Sequence, residues 1–135
     1  MDAEIAEGLP ETVEEPAEPR LRVVIATADD VWRPVVEAWM LERVDLQVVK
    51  VRSVLELLDL EDLDRLHLVV LDHHLPGIDG LVAGAMLREI NPAARLVLAT
   101  ADPFPTLRQL AEEIGFWDVM EKTEDGFGLH RAARL

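Results

Sequence analysis

The feature that most constrains the fold is an alternation of short apolar runs and helical patterns, which repeats five times from residue 21 onwards. The runs are rich in Val, Ile and Leu and are mostly apolar at consecutive positions, as is typical of strands buried on both faces of a parallel sheet. The predicted strands span residues 22–27, 46–51, 67–72, 95–100 and 116–121. The alternation predicts an α/β fold, a doubly wound five-stranded parallel sheet with helices on both faces.

The segments between the strands carry helical spacing and recognisable helix ends. The predicted helices span residues 32–40, 53–63, 81–90, 107–114 and 128–135. Asp29 and Asp30 precede the first helix as N-cap candidates, and a capping box formed by Ser53 and Glu56 opens the second. Gly115 is a natural C-terminal residue for the fourth helix. Each predicted strand is therefore followed by a helix.

Residues 1–20 differ in composition from the rest of the chain. They contain seven acidic residues, one basic residue and three prolines, with no helical or strand period. A segment this acidic and this poor in large apolar side chains cannot bury enough surface to fold. The sequence therefore predicts an acidic disordered tail over residues 1–20 and a single domain over residues 21–135.

Charge and composition exclude several classes of protein. The net charge of -14 repels phosphate groups, which argues against direct nucleic acid binding. The absence of cysteine excludes disulfides, thiolate metal sites and a catalytic thiol. The apolar runs are far shorter than the ~20 residues that span a bilayer, and the acidic N-terminus does not resemble a secretory signal. We expect a cytoplasmic protein that does not bind membranes.

Polar residues stand at the ends of the predicted strands, where the ligand sites of parallel sheets lie. Residues 27–30 follow the first strand, and Asp72, Thr100 and Lys122 end or follow the third, fourth and fifth. A carboxylate, a hydroxyl and an ammonium in one crevice can hold a phosphoryl group, with the carboxylate as its acceptor or as a magnesium ligand. A lone Asp at a strand end is most often a cap or turn residue, and a lone Thr or Lys there is commonplace. No glycine-rich loop follows the first strand, so a P-loop and a dinucleotide fingerprint are excluded.

The segment Asp72–Gly80, with the sequence DHHLPGIDG, resembles the phosphoacceptor segment of the receiver domains of two-component response regulators. Thr100-Ala101 is similar to the Thr/Ser-Ala pair that follows the fourth strand in that family. Gly115, seven residues before Lys122, matches the family pattern ahead of its lysine. The resemblance covers residues 21–135 and implies a flavodoxin-like sheet with the strand order 2-1-3-4-5.

The resemblance also implies roles for individual residues. Asp72 would accept the phosphoryl group, Thr100 would sense it through a hydroxyl hydrogen bond, and Lys122 would pair with it or with the unmodified Asp72. Asp72 and the backbone carbonyl of His74 would bind Mg²⁺. The side chains of His73 and His74 are interpreted as ordinary loop groups.

The first departure from the family pattern is at the end of the first strand. Where the family has two acidic residues at the end of the first strand, an ungapped alignment places Thr27 and Ala28. Ala28 offers no side-chain ligand for Mg²⁺, and Asp29 or Asp30 would reach the ion only if the loop bulges. Losing an acid weakens the metal site but also removes repulsion toward an incoming phosphoryl group.

The second departure is in the fifth strand. The aromatic residue that reports phosphorylation in the family is replaced by Val119. Trp117 lies two residues earlier and is predicted on the same strand face.

Two functions remain open from the sequence. In the first, a histidine kinase or a phosphotransfer protein phosphorylates Asp72 and thereby switches an interaction face. The resemblance implies that the fourth helix, the fifth strand and the last helix form that face and a homodimer contact. Its charged residues are Arg108, Glu112, Glu113, Asp118, Arg131 and Arg134.

In the second, the chain is a pseudo-receiver that binds partners constitutively. The residues Ala28 and Val119 favour this second function.

An enzyme is not expected, because a hydrolase with an Asp72 nucleophile would need an acid where His74 stands. Arginine outnumbers lysine eleven to two, which is typical of GC-rich bacterial genomes.

Overall fold

The computed structural model describes residues 20–134, so the predicted disordered tail lies outside the described residues except at Arg20. The domain is built on one five-stranded sheet in the order β2-β1-β3-β4-β5. All neighbouring strands run parallel. The strands are β1 (Leu21–Ala26), β2 (Leu46–Val51), β3 (Leu68–Asp72), β4 (Arg95–Thr100) and β5 (Asp118–Glu121). The predicted fold class and strand order are confirmed.

Helices cover both faces of the sheet. They are α1 (Arg33–Leu41), α2 (Val54–Leu58), α3 (Gly80–Ile90), α4 (Pro105–Ile114) and α5 (Phe127–Ala132), with a 3₁₀ turn at Leu63–Arg65. The helices α1 and α5 pack on one face, over Val23 and Ile25 of β1. The other three pack on the opposite face, over Val24 and Ala26. Successive side chains of a strand enter opposite cores, so consecutive residues of each buried strand must be apolar.

The first helix begins later than its aspartates suggest. Asp29 Oδ1 accepts hydrogen bonds from the backbone N–H groups of Val31 at 3.0 Å and Trp32 at 3.2 Å. The N–H of Arg33 donates to the backbone carbonyl of Asp29 at 3.0 Å. These bonds close a turn ahead of the helix, so Asp29 shapes that turn and α1 starts at Arg33. Pro34 is tolerated there because a first-turn residue has no intrahelical N–H bond to lose.

The second helix is shorter than predicted. The capping box forms in part, because Ser53 Oγ accepts from the N–H of Glu56 at 3.2 Å and the Glu56 carboxylate accepts from the N–H of Arg52 at 2.7 Å. The helix then ends at Leu58 instead of continuing into the 3₁₀ turn. Five acidic residues lie between positions 56 and 64, and negative charge is unfavourable at a helix C-terminus. The predicted extension of this helix is therefore wrong.

Two close contacts fix α3 against its neighbours, one near its middle and one directly after its last residue. A Cβ on Gly84 would overlap the ring of Phe116, so only glycine allows this approach of helix and ring. The side-chain amide of Asn91, directly after α3, donates to the backbone carbonyls of Leu63 and Leu66 at 3.0 and 2.9 Å. Asn91 thereby ties the 3₁₀ turn to the helix. Within residues 20–134, no helix is both long and apolar enough to cross a membrane.

Candidate functional site

The carboxyl ends of four strands bring the predicted site residues together. Asp72 and Thr100 are the last residues of β3 and β4, and Lys122 directly follows β5. Thr27 directly follows β1, where its N–H donates to the carbonyl of Val51 at 2.9 Å. The parallel register of the sheet places these ends at one edge, as the alternation of elements requires.

Asp72 is held by three hydrogen-bond donors. Its Oδ2 accepts from the Thr27 hydroxyl and from Lys122 Nζ, each at 2.7 Å. Its Oδ1 accepts from the backbone N–H of His74 at 3.0 Å. Only 3% of the residue is exposed. Charge-assisted bonds of this kind fix the orientation of a carboxylate strongly.

Asp29 joins the site through the same lysine. Lys122 Nζ donates to Asp29 Oδ2 at 2.9 Å. This hydrogen bond is the main reason that the pKa of Asp29 lies below its ordinary value of 3.8, with help from the backbone N–H groups of Trp32 and Val31 and against the effect of burial. The turn between β1 and α1 therefore bulges enough for Asp29 to occupy the acidic pocket, where Ala28 has no ligand to offer.

The structure does not bring Asp30 to this site. Its carboxylate pairs with the guanidinium groups of Arg33 and Arg52 on the surface, and 61% of its side chain is exposed. The physical reason is the turn closed by Asp29, which directs consecutive side chains to opposite sides. Of the two aspartates considered as metal ligands, only Asp29 lies beside Asp72.

Lys122 occupies the centre of the pocket. It contacts both carboxylates, and its side chain is 10% exposed. Its Nζ lies 5.3 Å from the ring centroid of Trp32, within the range of a cation–π interaction. A cavity of about 250 Å³ opens beside Asp29 and Lys122 and is also lined by Trp32, Ala101 and Thr123. A small charged group can therefore approach the pocket from solvent.

Thr100 and the histidines sit around Asp72 in different ways. The buried hydroxyl of Thr100 accepts from the backbone N–H of Asp102 at 3.1 Å, and so stabilises the loop after β4. The imidazole rings of His73 and His74 stack with their centroids 4.5 Å apart. His73 Nε2 lies 3.6 Å from Asp79 Oδ2. The contact from His74 to Asp72 is made by its backbone.

The donor set at the pocket limits what cation it can hold. Within the described residues there is no cluster of three or more His, Asp or Glu side chains suited to a metal ion. Two carboxylates, from Asp29 and Asp72, and the backbone carbonyl of His74 are oxygen ligands of the type that Mg²⁺ takes with added water. The Lys122 ammonium contacts an oxygen of each carboxylate, so a cation that bound both carboxylates would have to displace it.

Thr27 is the site residue that the sequence did not assign. Its position at the end of β1 was among the polar strand ends, but its bond to Asp72 depends on the distance between two strands. The sequence indicated this role only indirectly, because Thr27 stands where the family pattern has an acidic residue. A hydroxyl can donate to a neighbouring carboxylate, whereas an ionised acid cannot.

The structure also places the residues of the fifth strand. Val119 is buried in the core formed with α2, α3 and α4. The prediction that Trp117 shares the strand face of Val119 is wrong, because Trp117 lies before β5 and its side chain is exposed whereas Val119 is buried. The Trp117 ring instead stacks on the Arg95 guanidinium, whose Cζ lies 4.0 Å from the centroid of the ring.

The charged face of α4, β5 and α5 is partly neutralised within the chain. Asp118 accepts from Arg108 at 2.7 Å and also pairs with Arg131. Arg108 further donates to the backbone carbonyl of Val119 at 3.0 Å. The two arginines thereby link α4, β5 and α5 through one carboxylate.

Comparison with known proteins gives a family model and a set of solved structures. The model described as the response regulator receiver domain matches residues 23–134. No curated protein matches the chain in sequence. The crystal structure of a response regulator from Burkholderia pseudomallei, described with a phosphorylated aspartic acid, a calcium ion and citrate, is 21% identical with a TM-score of 0.71. The match covers 84% of this chain and 66% of that one.

Two further structures have the same fold. The response regulator DrrB of Thermotoga maritima, an OmpR/PhoB homologue, is 21% identical with a TM-score of 0.75, over 86% of this chain and 52% of that one. The Mn²⁺-bound form of response regulator Rcp1 is 15% identical with a TM-score of 0.70, over 87% of this chain and 97% of that one. The chain thus spans about half the length of the Thermotoga protein and two thirds of that from Burkholderia.

Proposed function

The chain belongs to the receiver domain family of response regulators, and on that premise we propose that it is a phosphoacceptor that takes a phosphoryl group on Asp72. The observation that carries the proposal is the joint contact of Lys122 with Asp72 and Asp29 at the carboxyl ends of the strands. The phosphate-bearing partner would be a histidine kinase or a phosphotransfer protein. The chain would act as the substrate of that partner and not as an enzyme.

The proposed phosphoryl transfer is a displacement at phosphorus. An oxygen of Asp72 attacks the phosphorus of a phosphohistidine, a P–O bond forms, and the P–N bond breaks with its electron pair kept by the imidazole, which takes up a proton. Oδ1 is the better nucleophile, because it accepts one amide hydrogen bond whereas Oδ2 accepts from Thr27 and Lys122. Lys122 would neutralise charge that develops on the phosphoryl oxygens.

A divalent cation fits this reaction. Asp29, Asp72 and the backbone carbonyl of His74 would hold Mg²⁺, which when bound neutralises phosphoryl charge. Asp29 takes the role here that Ala28 cannot fill. Asp30 is not part of this proposal, because its carboxylate pairs with arginines on the surface.

The signal would leave the site through Thr100 and the face of α4, β5 and α5. New charge on Asp72 would draw the Thr100 hydroxyl away from Asp102 and shift the loop between β4 and α4. The ion pairs of Asp118 with Arg108 and Arg131 link the elements of that face, which would then change its contacts, including a homodimer contact. We place this relay in the cytoplasm of a bacterium, without direct nucleic acid or membrane binding by this domain.

A second candidate is a pseudo-receiver that binds partners without phosphorylation. It is favoured by the way Thr27 and Lys122 already satisfy Oδ2 of Asp72 in the resting structure. It is also favoured by Val119, which has no ring to report a change of state. In this reading the same face would bind its partner constitutively.

The test is intact-mass spectrometry after incubation with acetyl phosphate, with and without MgCl₂. The proposed function predicts a single phosphoryl adduct on the wild type and on Asp79→Asn, which alters a carboxylate of the same loop. It predicts no adduct on Asp72→Asn. No adduct on the wild type, under conditions that modify an ordinary receiver, would favour the pseudo-receiver. An adduct that persists in Asp72→Asn would refute the site.

A further inference from the structure

We infer that Thr27 is a positioning residue of this site, which holds the phosphoacceptor carboxylate and brings Asp29 to it through one hydroxyl group. The inference rests on the proposed function of Asp72. It goes beyond that function because it assigns a role to a residue that replaces an acid, and it explains how an aspartate displaced in sequence enters the pocket.

The Thr27 hydroxyl makes two hydrogen bonds in opposite senses. It donates its proton to Asp72 Oδ2 at 2.7 Å and accepts from the backbone N–H of Asp29 at 3.0 Å. Thr27 itself is 8% exposed, so water competes little for either bond. One oxygen therefore connects the end of β3 to the turn that follows β1.

The second bond accounts for the position of Asp29. With its N–H held by Thr27, Asp29 directs Oδ1 to the N–H groups of Val31 and Trp32 and Oδ2 to Lys122. These bonds form one connected network from Thr27 to Lys122 and back to Asp72. Loss of the hydroxyl would loosen both the turn and the carboxylate.

An acid at position 27 could not take the same role. Its carboxylate could accept from the N–H of Asp29, but it would have no proton for Asp72 and would repel it. Compared with an acid at position 27, the Thr27 hydroxyl leaves the pocket with one negative charge fewer. The carboxylates of Asp29 and Asp72 then face one ammonium. We therefore expect Thr27 and Lys122, and not a bound cation, to order the resting site.

The first test measures amide hydrogen exchange by NMR in metal-free buffer. Thr27→Val, which keeps the shape and removes the hydroxyl, should accelerate exchange at Asp29 and at His74, whose N–H donates to Asp72, by about three- to tenfold. Thr27→Ser should exchange like the wild type, because it keeps the hydroxyl. His74 is the decisive amide, since it lies far from position 27 in sequence and reports only the hold on Asp72. Equal exchange at His74 in the wild type and Thr27→Val would overturn the inference.

The second test separates the hydroxyl from the charge. Thr27→Asp and Ala28→Asp each add one acid beside Asp29, but only the first removes the hydroxyl. In metal-free buffer, Thr27→Asp should show the fast His74 exchange of Thr27→Val, whereas Ala28→Asp should stay near the wild type. Addition of MgCl₂ should slow this exchange in Thr27→Asp. Fast exchange in both variants would assign the effect to charge and overturn the role of the hydroxyl.

Phosphorylation rates complete the design. With acetyl phosphate, Thr27→Val should label about tenfold more slowly than the wild type and Thr27→Ser should recover most of the rate. If the wild type is not labelled at all, the proposed function fails, while the exchange measurements still decide whether Thr27 positions Asp72. If the wild type is labelled and Thr27→Val labels equally fast, the function holds and the positioning role fails.

Discussion

Replacing Lys122 by methionine should destabilise the domain, because Asp29 and Asp72 would lose the ammonium that both contact. The two Oδ2 atoms lie 2.9 and 2.7 Å from the same Nζ, so they are no more than about 5.6 Å apart, and two carboxylates at that separation repel by about 3 kcal/mol at an effective dielectric constant of about 20. Relaxation of the pocket reduces this energy. We expect the free energy of unfolding at pH 7 to fall by about 2–3 kcal/mol.

The assay is urea denaturation followed by far-UV circular dichroism in metal-free buffer. Lys50→Met is the matched control, because it removes the other lysine of the chain, which pairs with Glu37 on the surface. It should unfold close to the wild type. Adding Asp72→Asn to Lys122→Met should return the free energy of unfolding to within about 1 kcal/mol of the wild type, since one carboxylate then remains. A Lys122→Met variant as stable as Lys50→Met would refute the reasoning.

Three further variants test other contacts by the same assay. Asp29→Asn should lower the free energy of unfolding by about 1 kcal/mol, a value that allows for solvent screening. The difference should persist above pH 3.8 and disappear as the pH falls through the lowered pKa of Asp29 in the folded state. A pH-independent difference would exclude a charge effect. Gly84→Ala should cost about 1–3 kcal/mol despite its better helix propensity, and Phe116→Leu in the same chain should recover part of that loss; a stabilised single variant would contradict the close contact. Asn91→Ala should cost about 2 kcal/mol, because two carbonyls of the neighbouring turn lose their donor; a neutral effect would show that water replaces it.

Much of the fold could be predicted because buried parallel strands leave a direct trace in the sequence. Val23, Val24 and Ile25 enter two different cores in succession, so their run of apolar residues reveals both faces at once. The strand ends were equally informative, since a parallel sheet brings Asp72 and Lys122 to the same edge whatever the details of the loops. The sheet order also followed from the family resemblance, which the family model and the solved structures bear out.

What the sequence could not predict depends on the path of single turns. Asp29 and Asp30 are adjacent and chemically identical, yet one contacts Lys122 and the other pairs with surface arginines. The difference arises from the backbone N–H groups that Asp29 binds, which no periodicity encodes. The bond from Thr27 to Asp72 spans 45 residues and likewise depends on the separation of neighbouring strands. The early end of α2 reflects accumulated negative charge, which an apolar pattern does not register.

The position of Trp32 has a consequence for how this pocket can be observed. Its indole ring is buried beside the charged end of Lys122, and its side-chain N–H has no hydrogen-bond partner among the described residues. The emission wavelength of an indole follows the electric field along its ring, and a cation 5.3 Å from the centroid contributes strongly to that field. Any event that moves the ammonium, whether a bound ion or a new phosphoryl group, therefore changes the light that Trp32 emits. We therefore expect Trp32 fluorescence to report the state of the acidic pocket.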